Sequence, residues 1–139
     1  MSGETDLEAL FRTLKISVAD GIYVFTTLEH RKIPEGLEPK MVFQETEGTT
    51  LILLREEAEE HHFTYEFPSK MITLNVHSSL EAVGFMARIS TALSVEGMGV
   101  NPVAGFFHDH LFVPLGRETD ALRVLEELKE TALNHPGAS

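Results

Sequence analysis

The stretch that decides the fold is Ile72-Thr73-Leu74-Asn75-Val76-His77-Ser78-Ser79-Leu80-Glu81-Ala82-Val83-Gly84-Phe85. Residues 72–76 form a short apolar run that reads as a buried strand. Ser78 and Glu81 stand at capping-box spacing, so each side chain can satisfy an orphan amide where a helix starts. Ser79 adds a second hydroxyl at the same entry. Ala82, Met86, Ile89 and Leu93 then recur four, three and four residues apart, which makes one helical face, and Gly97 is placed to stop the helix.

Working outward to the C-terminus, residues 100–107 and 110–115 read as two strands joined tightly at His108-Asp109. Thr119 is the expected cap of a last helix, whose apolar face is Ala121, Leu125, Leu128 and Ala132; Asn134, Pro136 and Gly137 end it. The second half is thus β-α-β-β-α, a ferredoxin-like order lacking its last strand.

Working back to the N-terminus, Thr5 and Glu8 repeat the capping-box spacing ahead of Leu7, Leu10, Phe11 and Leu14, which predicts a helix over 6–14. Asp20-Gly21 predicts a hairpin between strands at 16–18 and 22–25. Pro34, Gly36 and Pro39 make 29–40 a loop, and 41–44 with 49–54 form a second hairpin. Residues 55–62 suit a short exposed helix, 63–67 a strand, and Pro68-Ser69-Lys70 an internal boundary. The division expected is residues 1–69, 70–135 and a tail at 136–139. Each half lacks something the other could supply, which suggests two related halves that exchange a strand.

The bulk properties narrow the function classes. One compact domain or two very small ones fit in 139 residues. The absence of cysteine removes disulfides, thiolate nucleophiles and cysteine-held zinc, and it fits a reducing compartment. Eleven Lys and Arg against 22 Asp and Glu leave a formal charge of −11, which repels nucleic-acid phosphates and anionic membranes alike. The N-terminus has no signal-peptide pattern and no apolar run is long enough to span a bilayer, so the expected setting is cytoplasmic.

The run 72–85, continued by Ile89, Leu93, Gly97, Met98 and Asn101, resembles the strand-loop-helix opening of ACT domains. Residues 104–114, Ala104-Gly105-Phe106-Phe107-His108-Asp109-His110-Leu111-Phe112-Val113-Pro114, resemble small stand-alone tandem ACT proteins of the aspartokinase-like branch, and Glu66-Phe67-Pro68 is similar to their junction. The resemblance implies an α+β, ferredoxin-like fold: two ACT-like halves with antiparallel sheets and helices packed on one face. It further implies a non-catalytic regulatory protein that binds a small molecule, commonly an amino acid, between paired ACT units. The site it implies is the loop His77, Ser78, Ser79 and Leu80 with the strand positions Asn101 and Val103 of a neighbour. It implies a homodimer and no cofactor.

The residue chemistry is compatible with that site. A helix N-terminus offers unpaired amides and partial positive charge to a carboxylate. Ser78 and Ser79 add hydroxyls, and the Asn101 amide can both donate and accept. Gly84, expected in the second helical turn, permits close approach. Each residue also has a structural role open to it: Ser78 and Glu81 as caps, Gly84 as a packing glycine, Asn101 at a strand start, His77 as a half-buried hydrogen-bonding residue.

Two other readings compete. His108 and His110, two apart on one strand face and joined by His77, could hold a metal, although no fixed-spacing third ligand is present. Exposed Phe106, Phe107 and Phe112 would mark an assembly module without a ligand. The Glu56, Glu57, Glu59, Glu60 run followed by His61-His62 reads as a solvated helix face, and there is no G-x-S-x-G, P-loop or G-x-G-x-x-G.

Overall fold

The computed structural model describes residues 6–29 and 33–134. Their elements are α1 (Leu7–Arg12), β1 (Ile16–Val18), β2 (Tyr23–Leu28), β3 (Met41–Gln44), β4 (Thr49–Leu54), α2 (Arg55–Glu60), β5 (Glu66–Leu74), α3 (Phe85–Val95), β6 (Asn101–Ala104), β7 (Asp109–Pro114) and α4 (Glu118–Leu133). Contacts divide the chain into two compact units: residues 1–19 with 71–139, and residues 20–70. The cut at 70/71 falls beside the expected boundary, while the N-terminal segment packs with the second half.

The discontinuous unit has the strand order β1-β5-β7-β6. Its strand–helix–strand–strand–helix run starts in the second half of β5, and β1, from far upstream, fills the fourth strand position. Ile16 pairs with Leu74 and Val18 with Ile72, antiparallel. This explains why the C-terminal half looked one strand short in sequence. Leu10, Phe11 and Leu14 of the N-terminal segment share one fully buried core with Ile72, Leu74, Ile89, Leu93, Leu111, Val113 and Leu125. The Phe11 ring lies 5.1 Å from that of Phe85, and the Arg88 guanidinium sits 5.3 Å from its centroid. The expected faces hold: Ile89 and Leu93, then Ala121, Leu125 and Ala132, are buried, with Leu128 packed against them.

Two helix starts differ from expectation. Thr5 lies outside the described residues, and α1 is capped by Asp6, whose Oδ1 accepts from the Glu8 and Ala9 amides at 3.0 and 3.3 Å. At α4, Thr119 lies within the helix. The turn before it, at Gly116 (φ +94°), is closed by Glu118, whose Oε1 accepts the Gly116 amide at 2.7 Å.

The contiguous unit has the order β3-β4-β2-β5, the same ferredoxin-like arrangement, with the first half of β5 as its fourth strand. The β3–β4 hairpin spans the expected residues, with Gln44 opposite Thr49 and the Glu45 amide donating to the Gly48 carbonyl at 2.9 Å. Residues 33–40 stand where a first helix would come, and Leu37 from this loop joins the core of Val24, Leu51, Leu53 and Ala58. The α2 helix ends in a Schellman turn: Phe63 N–H donates to Ala58 C=O and His62 N–H to Glu59 C=O, with His62 left-handed at φ 58°.

Two local expectations are corrected. Asp20-Gly21 does not close a hairpin, because both flanking strands pair with β5 instead: β1 at 72–74, and β2 through Tyr23–Ser69 and Phe25–Glu66. The strands expected at 63–67 and 72–76 are replaced by one, β5, which runs through Pro68-Ser69-Lys70, while the boundary expected there lies beside the cut between the units. The register with β2 shifts there, and Phe67, at φ 57°, forms a bulge that accommodates a proline with no amide to donate.

Candidate ligand-binding site

The loop after β5 does not build a helix at Ser78. Residues 75–84 are irregular, and α3 starts at Phe85 with Gly84 as its N-cap at φ +91°. The capping-box reading is therefore corrected: Ser79 Oγ accepts the Glu81 amide at 3.0 Å and stabilises a local turn, while Ser78 Oγ donates to Asp109 Oδ2 at 3.1 Å. Gly84 sits at the helix entry, not in its second turn. Only glycine adopts its left-handed conformation without strain, although a Cβ there would meet just Leu7 Cδ2, at 3.6 Å.

The consequence is an uncapped helix end. The first i→i−4 bond of α3 runs from Arg88 N–H to Gly84 C=O, so the amides before it have no partner within the helix, and no side chain caps them. Phe85 and Met86 of that first turn, with Ser78, Ser79, Leu80, Ala82, Ala104 and Asp109, line a cavity of about 170 Å³. Ser78 is 9% and Ser79 5% exposed. Two serines and one carboxylate residue thus line a small, mostly apolar cavity.

The six residues expected at the site separate into two groups. Ser78, Ser79 and Leu80 line the cavity. His77, Asn101 and Val103 are not among its lining residues. Asn101 and Val103 lie on β6, which ends the strand order and pairs with β7 through Asn101–Phe112 and Val103–His110. The His77 ring neighbours Phe106 and Phe107, with centroids 6.4 and 5.7 Å away, and its Nε2 is buried without a hydrogen-bond partner. Asp109 was visible in sequence only as part of a turn. Its place opposite Ser78 depends on β7 lying beside β5, which no local signal gives.

The histidines are engaged elsewhere. The expected strand 100–107 stops at Ala104, because Gly105 N–H donates to His108 C=O at 2.9 Å and closes a turn. His108 Nδ1 lies 3.4 Å from the Val76 carbonyl and His110 Nδ1 2.9 Å from Thr73 Oγ1. Among the described residues no group of three or more His, Asp or Glu is placed to hold a metal ion. Of the three phenylalanines, Phe112 is buried in the fold, whereas Phe106 and Phe107 are each 63% exposed. No helix among the described residues is long and apolar enough to cross a membrane.

Family models described as ACT domain match residues 2–70 and 66–127. No curated protein matches the chain. Among solved structures, a Vibrio cholerae protein of unknown function, described as a possible transport protein, is 37% identical at a TM-score of 0.80, over 92% of this chain and 99% of that one. An Agrobacterium tumefaciens protein is 16% identical at a TM-score of 0.72, over 84% and 89% of the two chains. The ligand-free regulatory subunit of aspartate kinase from Thermus thermophilus is 10% identical at a TM-score of 0.63, over 84% and 96%.

Proposed function

The chain belongs to the ACT-domain family, and from that premise we propose that it is a non-catalytic regulatory sensor whose ligand is a small amino acid. One observation carries the reading: buried Ser78 and Ser79, Asp109, and Phe85 and Met86 of the uncapped first turn of α3 line one cavity of about 170 Å³. A zwitterion matches that set. Its carboxylate takes the α3 amides and the Ser79 hydroxyl, and its ammonium takes Asp109. Ala82, Leu80 and Ala104 leave space for a short, uncharged side chain. The aspartate kinase neighbour is itself a regulatory subunit, which fits a sensing role without a reaction.

In this reading the working unit is a pair of ACT units, residues 20–70 and residues 1–19 with 71–139, acting in a cytoplasmic homodimer. Asn101 and Val103, on the β6 edge, contribute to the site of the second chain, and His77 helps to position the 77–80 loop. The exposed Phe106 and Phe107 favour a second reading, in which the turn between β6 and β7 serves assembly alone.

A thermal-shift screen of the proteinogenic amino acids separates the two. A sensor is stabilised by about 2.7 kcal/mol at a hundredfold excess over its Kd. The shift should be confined to small neutral amino acids and be lost in Ser79→Ala. If no amino acid raises the Tm, the sensor reading fails and assembly remains.

A further inference from the structure

The contiguous unit holds a larger cleft, of about 550 Å³, between Phe25, Thr26, Thr27 and Thr50 on one side and the segment 62–66 on the other. Its volume falls in the range of small-molecule sites, about 300–1,000 Å³. The cleft follows from how the chain leaves α2. The segment after the Schellman turn pairs with β2 only from Glu66 onward, and before that Thr26 Oγ1 holds it by donating to the Thr64 carbonyl at 2.6 Å. The backbone between left-handed His62 and Phe67 therefore lies beside β2 without a full ladder.

The chemistry of the cleft differs from that of the Ser78–Asp109 cavity. Phe25, Phe63 and Tyr65 supply aromatic surface. Glu66 is exposed in the lining and is the one carboxylate there. Two more carboxylates attach to lining residues: Thr50 Oγ1 hydrogen-bonds to Glu45, and the Tyr65 hydroxyl donates to Glu59 at 3.0 Å. Among the described residues the lining contains no Lys or Arg. A chain of formal charge −11 adds a negative field that concentrates cations.

We propose that this cleft is a second binding site, for a protonated amine carried on an apolar body. Ring faces attract the cation and cover its hydrocarbon, Glu66 supplies the opposite charge, and Thr27 offers a hydroxyl to the ammonium protons. An anion of the same shape is repelled. A neutral analogue fills the aromatic wall but lacks the charge that Glu66 attracts.

The test uses three probes of matched shape, 2-phenylethylamine, 2-phenylethanol and 3-phenylpropionate, titrated into the full chain at neutral pH and followed by amide chemical shifts. The amine should saturate shifts at residues 25–27, 50 and 62–66 and bind roughly tenfold more tightly than the alcohol, with no binding of the acid. Glu66→Gln, isosteric and exposed, should weaken the amine roughly three- to tenfold and the alcohol less than about twofold. Equal binding of amine and alcohol, an unaffected amine in Glu66→Gln, shifts confined to other residues, or no binding would each overturn the proposal.

Discussion

Asp109→Asn tests the assignment of the ammonium position. The side chain opens β7 opposite Ala104, is half-buried, and accepts from Ser78 Oγ at 3.1 Å through Oδ2. Asparagine keeps the shape and an acceptor oxygen for Ser78 but removes the charge. A hydrogen bond to a charged group contributes about 1.5–3 kcal/mol, which converts to a loss of roughly 10- to 150-fold in affinity. At a ligand concentration of about one hundred Kd, the native chain gains about 2.7 kcal/mol. For a chain of 139 residues this is a Tm increase of about 8–11 °C. If the variant binds about thirtyfold more weakly, the same concentration is about three Kd. The gain then falls to about 0.8 kcal/mol and the shift to about 2–3 °C. Differential scanning calorimetry with and without the amino acid found in the screen measures both. A variant that keeps the full shift places the ammonium elsewhere. A variant whose ligand-free Tm drops by as much as the lost shift shows Asp109 to be structural.

Three other perturbations probe the frame around the sites. Phe11→Ala should cost about 3–5 kcal/mol in urea unfolding, because the ring is fully buried between Phe85 and Arg88; a cost under about 1 kcal/mol would mean that the N-terminal segment is not part of this core. Gly105→Ala places a Cβ 2.8 Å from the His108 carbonyl oxygen, so the β6–β7 turn must open at about 1–3 kcal/mol, and ligand affinity should fall with it as Asp109 moves; unchanged stability and affinity would contradict this. The Tyr65 phenol is held above its ordinary 10.0, first by the hydrogen bond to Glu59, then by desolvation and the Glu59 charge. A raised folded value favours the protonated form, so its contribution is complete below the ordinary value of about 10 and is lost as pH rises through the higher folded value. Phenolate absorbance should show one tyrosine moving down in Glu59→Gln, and an unmoved titration would exclude the pairing.

What the sequence made legible was mostly local. The faces of α3 and α4 follow from three- and four-residue apolar spacing, and the β3–β4 hairpin joins neighbouring strands, interactions that close within a few residues. What it hid was long-range. Ile16–Val18 pairs with a strand more than fifty residues later in the chain, so a good two-residue turn signal at Asp20-Gly21 suggested the wrong partner. Pro68-Ser69-Lys70 was legible as a boundary, but that a single strand runs through it was not, because a proline interrupts most ladders and the bulge at Phe67 that absorbs it leaves no local signal. The Ser78 and Ser79 half of the candidate site was visible, since hydroxyls before a helical pattern stand out. Asp109 and the cleft at 25–27, 50 and 62–66 were not, because each is assembled from separated segments with no shared period.

The failed capping prediction is the most informative of these differences. Ser78, Ser79 and Glu81 have the spacing to cap a helix, and capping would have saturated the amides that a carboxylate needs. The chain instead uses Ser79 on a turn, directs Ser78 to Asp109, and begins the helix six residues after Ser79 behind a left-handed glycine that has no side chain to cap with. A helix of eleven residues whose apolar face is buried by Phe85, Ile89 and Leu93 can leave its first amides unsatisfied at modest cost. The same departure from local rules that displaces the helix is what leaves the first turn of α3 uncapped where Phe85 and Met86 line the cavity. Restoring a cap separates the two roles. Gly84→Asn strains the left-handed backbone less than most other side chains and places a side-chain acceptor at the helix entry. It should hold stability within about 1 kcal/mol while competing with the ligand carboxylate, so that amino-acid binding weakens with little change in the ligand-free Tm. Affinity equal to that of the native chain would show that the α3 amides do not receive the carboxylate.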